Sequence, residues 1–379
     1  MEYLILAFLG IMLYLDNISS AINGGLEERG PFQIIFIVFI LTLASIILYI
    51  KSKHKILYIN ELVKYLFSLL LVIAINDIVK DIRFFSDLRL LYMGAWITII
   101  VSFENLFLYM DKKRERLFLF GMFFLFLFSV YNAYVTLNWM MLDHNRIVIP
   151  CIYISIIFLP WILVADNKFY LKPILVIILL LISIMSAKRG AIVAVFAAML
   201  AFYYRKSKLE TGRSSFVNVV GIGIVCIAFF FMIDTLLGGY IAGRFTVDAF
   251  TDGSGRGESN ASVFYALANY ATSGDILFGF SKETRTQMGN FLGHNDWLCF
   301  LVYYGLIGLS FFALFLFRVF KKSWYCKDKK LGPAYVALFV MMILPSLYST
   351  TINPTVHPIF AMMFIGYAEA QNRKTKFCN

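Results

Sequence analysis

The chain has 379 residues, 60% of them hydrophobic and only 15% charged, with a mean hydropathy of +0.77, whereas a soluble domain is about 45–50% apolar and about 25% charged. That composition excludes a soluble globular enzyme, and apolar runs such as 32–50 and 117–137 exclude a β-barrel, whose strands alternate over ~10 residues. The net charge of +11 does not point to nucleic acid, because the basic residues lie mostly between the apolar runs.

A helix needs about 20 apolar residues to cross about 30 Å of hydrocarbon. On that measure the chain predicts about twelve spans, at 2–22, 31–50, 56–75, 90–110, 117–137, 147–165, 173–187, 190–204, 216–238, 297–317, 334–351 and 355–369. The expected fold class is therefore all-α, a polytopic transmembrane helical bundle forming a single membrane domain. The run from Tyr3 to Leu15 has neither a basic leader nor a small-residue cleavage site, so it is expected to be a retained first span. The five cysteines, Cys151, Cys226, Cys299, Cys326 and Cys378, show no paired spacing that suggests a zinc site or a disulfide framework.

Basic residues set the orientation, since positive loops stay cytoplasmic. Connections 51–55, 111–116, 166–172, 205–215 and 318–333, with the tail after 369, hold 22 of the 34 basic residues, and the alternate connections hold 11. The first set is expected to be cytoplasmic, with both termini on that side.

Segment 239–296 is the one long connection, expected as a folded outer loop because long loops tend to be functional or disordered and this one is rich in aromatic and aliphatic residues. Val263, Leu267 and Tyr270 fall at helical spacing after a Ser259 or Asn260 cap, which predicts a short helix. Ten of the 24 glycines lie between Gly238 and Gly293, where they permit tight turns and close approach to a ligand.

Charged groups at or inside apolar spans are expensive and so are functional candidates. In Ser186-Ala187-Lys188-Arg189-Gly190-Ala191, two cations separate two apolar runs; they suit a phosphate or pyrophosphate, or alternatively cap the turn and touch lipid headgroups. Gly243-Arg244-Phe245 and Ser254-Gly255-Arg256-Gly257 set two arginines among glycines whose backbone N–H groups can cradle an anion, while Arg285 and Lys282 read more simply as loop surface. Gly293-His294-Asn295-Asp296 closes the long connection; His294 is either a proton acceptor near neutral pH or an interfacial residue at a span end. His144 and His357 are also expected on or near the outer side. Glu61 and Lys64, one turn apart, read as a self-neutralising pair, and Glu104 and Asp234 as carboxylates snorkelling from span ends. No nucleotide-binding loop, zinc-protease motif or acidic metal pair occurs in the sequence.

Taken in order, these segments resemble the bacterial O-antigen polymerases (Wzy) and the related O-antigen ligases (WaaL). The resemblance rests on Ser186 to Ala191, Ser254 to Arg256, Leu277-Phe278-Gly279-Phe280, His294-Asn295 and Tyr304-Gly305-Leu306-Ile307-Gly308, with an Arg-x10-Gly spacing at Arg244 and Gly255. It covers about residues 180 to 310, and departs from the family pattern at Lys188 and at Phe280 or Ser281. It implies a GT-C-like membrane glycosyltransferase in the bacterial inner membrane, with 239–296 in the periplasm. The implied donor is a glycan on undecaprenyl pyrophosphate and the acceptor a sugar hydroxyl of another lipid-linked repeat unit. Arg189 and Arg256, with Lys188, Arg244, Arg285 and Asn295, would hold pyrophosphate and glycan, and His294 would take the acceptor proton. No metal or other cofactor is implied; a chain-length regulator protein and membrane lipid are the implied partners. The ligase reading, with transfer to lipid A-core, stays open beside it, as does a flippase or transporter of lipid-linked oligosaccharides.

Overall fold

The computed structural model describes residues 2–22, 30–79, 88–144, 152–165, 171–186, 188–211, 256–280, 295–348 and 356–377, with a few helical positions between 221 and 235. The described residues are helical, without a strand. In chain order the helices are α1 (Glu2–Ile22), α2 (Gly30–His54), α3 (Glu61–Val79), α4 (Leu88–Tyr109), α5 (Lys112–His144), α6 (Ile152–Ile156), α7 (Leu159–Val164), α8 (Lys172–Met185), α9 (Arg189–Thr211), α10 (Arg256–Asn269), α11 (Ser273–Phe278), α12 (Asp296–Tyr325), α13 (Leu331–Tyr348) and α14 (Val356–Phe377). Three are long and apolar enough to cross a membrane, over Phe32–His54, Lys112–Asn138 and Asp296–Tyr325. Shorter apolar helices cover Glu2–Leu15, Met93–Tyr109, Ile152–Val164, Lys172–Met185 and Leu331–Leu347.

Helices α4 and α14 form the most extensive packed pair, with α9 against α13 next, and α12 bridges α3 to α13. The α4–α14 pair is close because α14 presents Gly366 to α4: a Cβ there would lie 2.7 Å from the Ile100 carbonyl oxygen and 2.8 Å from the Phe103 Cβ. Small residues let helix backbones approach in this way where lipid supplies no hydrophobic drive. Aromatic side chains fill the wider gaps, Trp161 meeting Phe364 edge-on at 5.0 Å and Phe107 meeting Phe118 at 5.2 Å.

One expectation about helix boundaries changes. The run 147–165, expected as one span, holds two short helices, α6 and α7, because Pro160 lies in the first turn of α7. Its ring would clash with the carbonyl four residues back in a continuous helix. Lys172 then reaches back to the end of α7, donating to the Leu163 and Ala165 carbonyls at 2.6 and 3.2 Å. The closely spaced runs at 173–187 and 190–204 are distinct helices, α8 and α9, as expected. The expected span at 216–238 is described only at scattered positions.

Both ends of the described chain meet the first turns of α5. Arg114 lies 3.8 Å from Glu2 of α1, and Lys374 near the end of α14 lies 3.3 Å from Glu115. This basic end also carries the most connected polar network. Arg373 pairs with Glu104 at 2.5 Å, and Lys322 bridges Glu369 at 2.7 Å and Asn60 at 2.8 Å. Tyr335 donates to Glu369, and Tyr58 and Asn105 exchange bonds of 2.9 and 2.7 Å. Arg205 donates to the carbonyl oxygens of Trp324 and Cys326, tying α9 to the end of α12.

That network corrects the reading of the isolated charges. Glu104 does not snorkel: it is fully buried against the Arg373 guanidinium. Asp234 is likewise buried. Glu61 pairs with Arg318 of α12 at 3.3 Å, so its partner comes from another helix instead of Lys64 one turn along.

Candidate functional site at the opposite end of the bundle

At the end away from this network, α9 begins, α12 begins, α13 finishes and α14 begins. Ser186 stops α8: its hydroxyl donates to the Ser183 carbonyl at 2.6 Å and accepts the Lys188 N–H at 3.3 Å. The Lys188 carbonyl then accepts from Ala191 and Ile192, which starts α9 with a cation on either side of its first residue boundary. Lys188 and Arg189 are both half-buried. The Lys188 ammonium lies 5.2 Å from the centre of the buried Tyr153 ring of α6. A cation at a helix N-terminus adds to the positive end of the macrodipole, so this turn favours an anionic ligand.

Asn295 opens α12 as its N-cap, its side-chain oxygen accepting the N–H of Trp297 at 2.9 Å and of Leu298 at 3.2 Å. That oxygen is therefore committed to the helix. Trp297 fixes the helix laterally by donating from Nε1 to the Ser346 hydroxyl of α13 at 3.0 Å, and its ring meets Phe312.

The described part of 239–296 is folded, as expected, and docks on α12. Its first described helix starts at Arg256, ahead of the expected cap; Val263 is buried and Leu267 packs inward, but Tyr270 is exposed. Thr272 caps α11 through a reciprocal box with Asp275. Helix α11 then ends on Gly279, with φ +88°, beside Gly305, with φ +64°, which breaks α12. A Cβ on Gly279 would fall 2.4 Å from the Tyr303 carbonyl, and one on Gly305 2.3 Å from the Leu277 carbonyl. The break frees the Val302 carbonyl, which accepts the Phe280 N–H at 2.7 Å. Irregular backbone in a span survives where protein satisfies it in this way.

Of the expected site residues, the structure places Lys188, Arg189 and Asn295 at this one end of the bundle. Arg256 is placed as the first residue of α10, and its side chain lies outside the described residues. Arg244, Arg285 and His294 lie outside them altogether. The paired motif pieces Leu277–Phe280 and Tyr304–Gly308, separate in sequence, form one contact.

A histidine that was expected near this side but given no role also lies here. His357, in the first turn of α14, is 4% exposed, and its Nε2 has no hydrogen-bond partner. It borders a cavity of about 10 Å³ with Trp96, Phe312, Leu316 and Met342, room for about one water. Its sequence signal was a histidine directly before Pro358 at a span start.

No protein-family model matches the chain, and no curated protein matches it.

Proposed function

We propose that the chain is a polymerase of O-antigen or a related surface polysaccharide in the bacterial inner membrane. On this reading about twelve helices cross the bilayer, the basic end is cytoplasmic, and the site at the opposite end faces the periplasm. The acceptor sugar hydroxyl attacks the anomeric carbon of a glycan on undecaprenyl pyrophosphate. The bond from that carbon to the phosphate oxygen breaks, and the lipid pyrophosphate leaves. Lys188 and Arg189, with Arg244 and Arg256, offset the charge growing on the leaving group, a role in which preorganised cations contribute strongly. His294 takes the hydroxyl proton; Asn295 and Arg285 hold the glycan. The donor bond supplies the energy, in keeping with the lack of a nucleotide-binding loop in the sequence.

The observation that carries this reading is the docking of Leu277–Phe280 on the Gly305 break. Two glycines in left-handed conformations join two of the motif pieces on which the resemblance rests, next to the helix that Asn295 opens. A flippase of lipid-linked oligosaccharides is the second reading, favoured by the break itself, since transporters use discontinuous helices.

Glycan laddering separates them. Cells lacking the gene are complemented with wild type, Arg189→Ala, Arg256→Ala or His294→Ala at matched protein levels. A single core-attached repeat in the null strain, a ladder with wild type and loss of the ladder in the variants support a polymerase. Lipid-linked polymer without core attachment in the null strain means ligase. Normal ladders from all three variants overturn the site.

A further inference from the structure

The basic end of the bundle contains a cleft of about 500 Å³ that the proposed reaction does not use and that shares Tyr58 and Lys374 with the polar network. It lies between the end of α4, the start of α5 and the last turns of α14, and is lined by Tyr58, Tyr109, Lys112, Gln371, Lys374 and Thr375. Helix α5 starts with three consecutive cations, Lys112, Lys113 and Arg114, at the positive end of its macrodipole.

The nearby carboxylates are engaged, Glu115 by Lys374 of the cleft itself, whose ammonium also donates to the Met110 carbonyl at 3.2 Å. Asp111 accepts the Arg114 N–H at 2.8 Å and meets the Arg114 side chain at 3.5 Å. Glu115 accepts from Lys374 at 3.3 Å and from the Tyr367 hydroxyl at 3.2 Å. Among the described residues, Lys112, exposed at the rim, has no ion pair, and the buried Gln371 Nε2 has no acceptor. The cleft thus offers positive charge and N–H donors to an oxyanion.

Its flank is apolar. Tyr58 belongs to the connection between α2 and α3, where Ile56 and Ile59 are 54% and 60% exposed. Tyr109 holds this connection by donating to the Ile56 carbonyl at 3.3 Å. Exposed isoleucines in a connection at the end of a membrane bundle suit hydrocarbon, which a free phosphate or a nucleotide would not need. Basic pockets between helices at a membrane surface recognise lipid headgroups.

We infer that this cleft binds the headgroup phosphate of an anionic glycerophospholipid from the leaflet at the basic end. Lys112 and Lys374 face the phosphate, the Gln371 amide donates to it, and an acyl chain runs along Ile56 and Ile59. The site is separate from the proposed reaction, and its test touches none of the residues at the opposite end.

The test is native mass spectrometry of the full chain in non-ionic detergent, offered dioleoylphosphatidylglycerol or dioleoylphosphatidylcholine. The expected result is preferential retention of phosphatidylglycerol, weakened about fivefold by Lys112→Gln and at most about twofold by Lys113→Gln outside the cleft. Thr375→Trp, which fills the cleft without changing charge, also lowers retention. Equal retention of the two lipids, or equal effects of the two lysine variants, overturns a defined site. Displacement of the lipid by millimolar inorganic phosphate overturns the lipid assignment in favour of a free-phosphate site.

Discussion

The two ends of the bundle are held by different physics. At the basic end, side chains from distant helices make charge-assisted bonds, Glu104 to Arg373 and Glu369 to Lys322 among them. At the opposite end the backbone carries the assembly, through the Asn295 cap, the close approach of Gly279 to Gly305, and the Phe280 to Val302 bond. Ion pairs between helices tie the bundle together where the basic connections gather. Backbone docking joins the segment before Phe280 to the break in α12 without an ion pair between the two among the described residues.

Removing one partner of a buried pair strands the other charge, so the largest effect is expected from Arg373→Met, a loss of about 3–5 kcal/mol. The double variant Glu104→Met with Arg373→Met should recover most of it. Thermal unfolding of the detergent-solubilised protein reads both, and equal losses for single and double variants would mean the pair is not the tie.

Gly305→Ala should cost about 3 kcal/mol, from a left-handed φ combined with overpacking against the Leu277 backbone. It should also release the docked segment, read as faster proteolysis near residues 273–280. Unchanged proteolysis would separate the helix break from the docking. Asn295→Ala is a smaller change, about 1 kcal/mol from the lost cap, checked by slower hydrogen exchange turning fast at Trp297 and Leu298.

The mildest probe is chemical. Burial between α12 and α13 pushes the Cys326 thiol up to about 11, and its S–H donates to the Asn372 side-chain oxygen at 3.1 Å. The folded state therefore holds this proton more tightly than the unfolded one, and the associated stability falls as pH rises from the ordinary thiol range toward 11. Alkylation of Cys326 should be slow at pH 8 in the folded protein and rapid after denaturation; rapid alkylation in both would show that the basic end opens readily.

Much of the helix inventory was legible because hydrocarbon thickness imposes a run length on any spanning helix. The expected 2–22 is α1, and 31–50 lies within α2. The failure at 147–165 has a local cause that was readable, Pro160 inside an apolar run. The Lys188–Arg189 turn was legible as two cations between apolar runs, but its Tyr153 neighbour was not, since nothing in the sequence links α6 to the start of α9. Glu61 shows the same limit: helical spacing offered Lys64, and packing supplied Arg318.

Composition and run length by themselves determined an all-helical chain with long apolar helices and basic residues gathered in alternate connections. Tertiary structure decided which charges pair, that Gly305 breaks α12, and that the piece ending at Gly279 docks on the break. The reason is that apolar length and positive charge act on each segment independently against lipid and water. Pairing and docking depend instead on which helices become neighbours, set by backbone approach at positions such as Gly366 against Ile100.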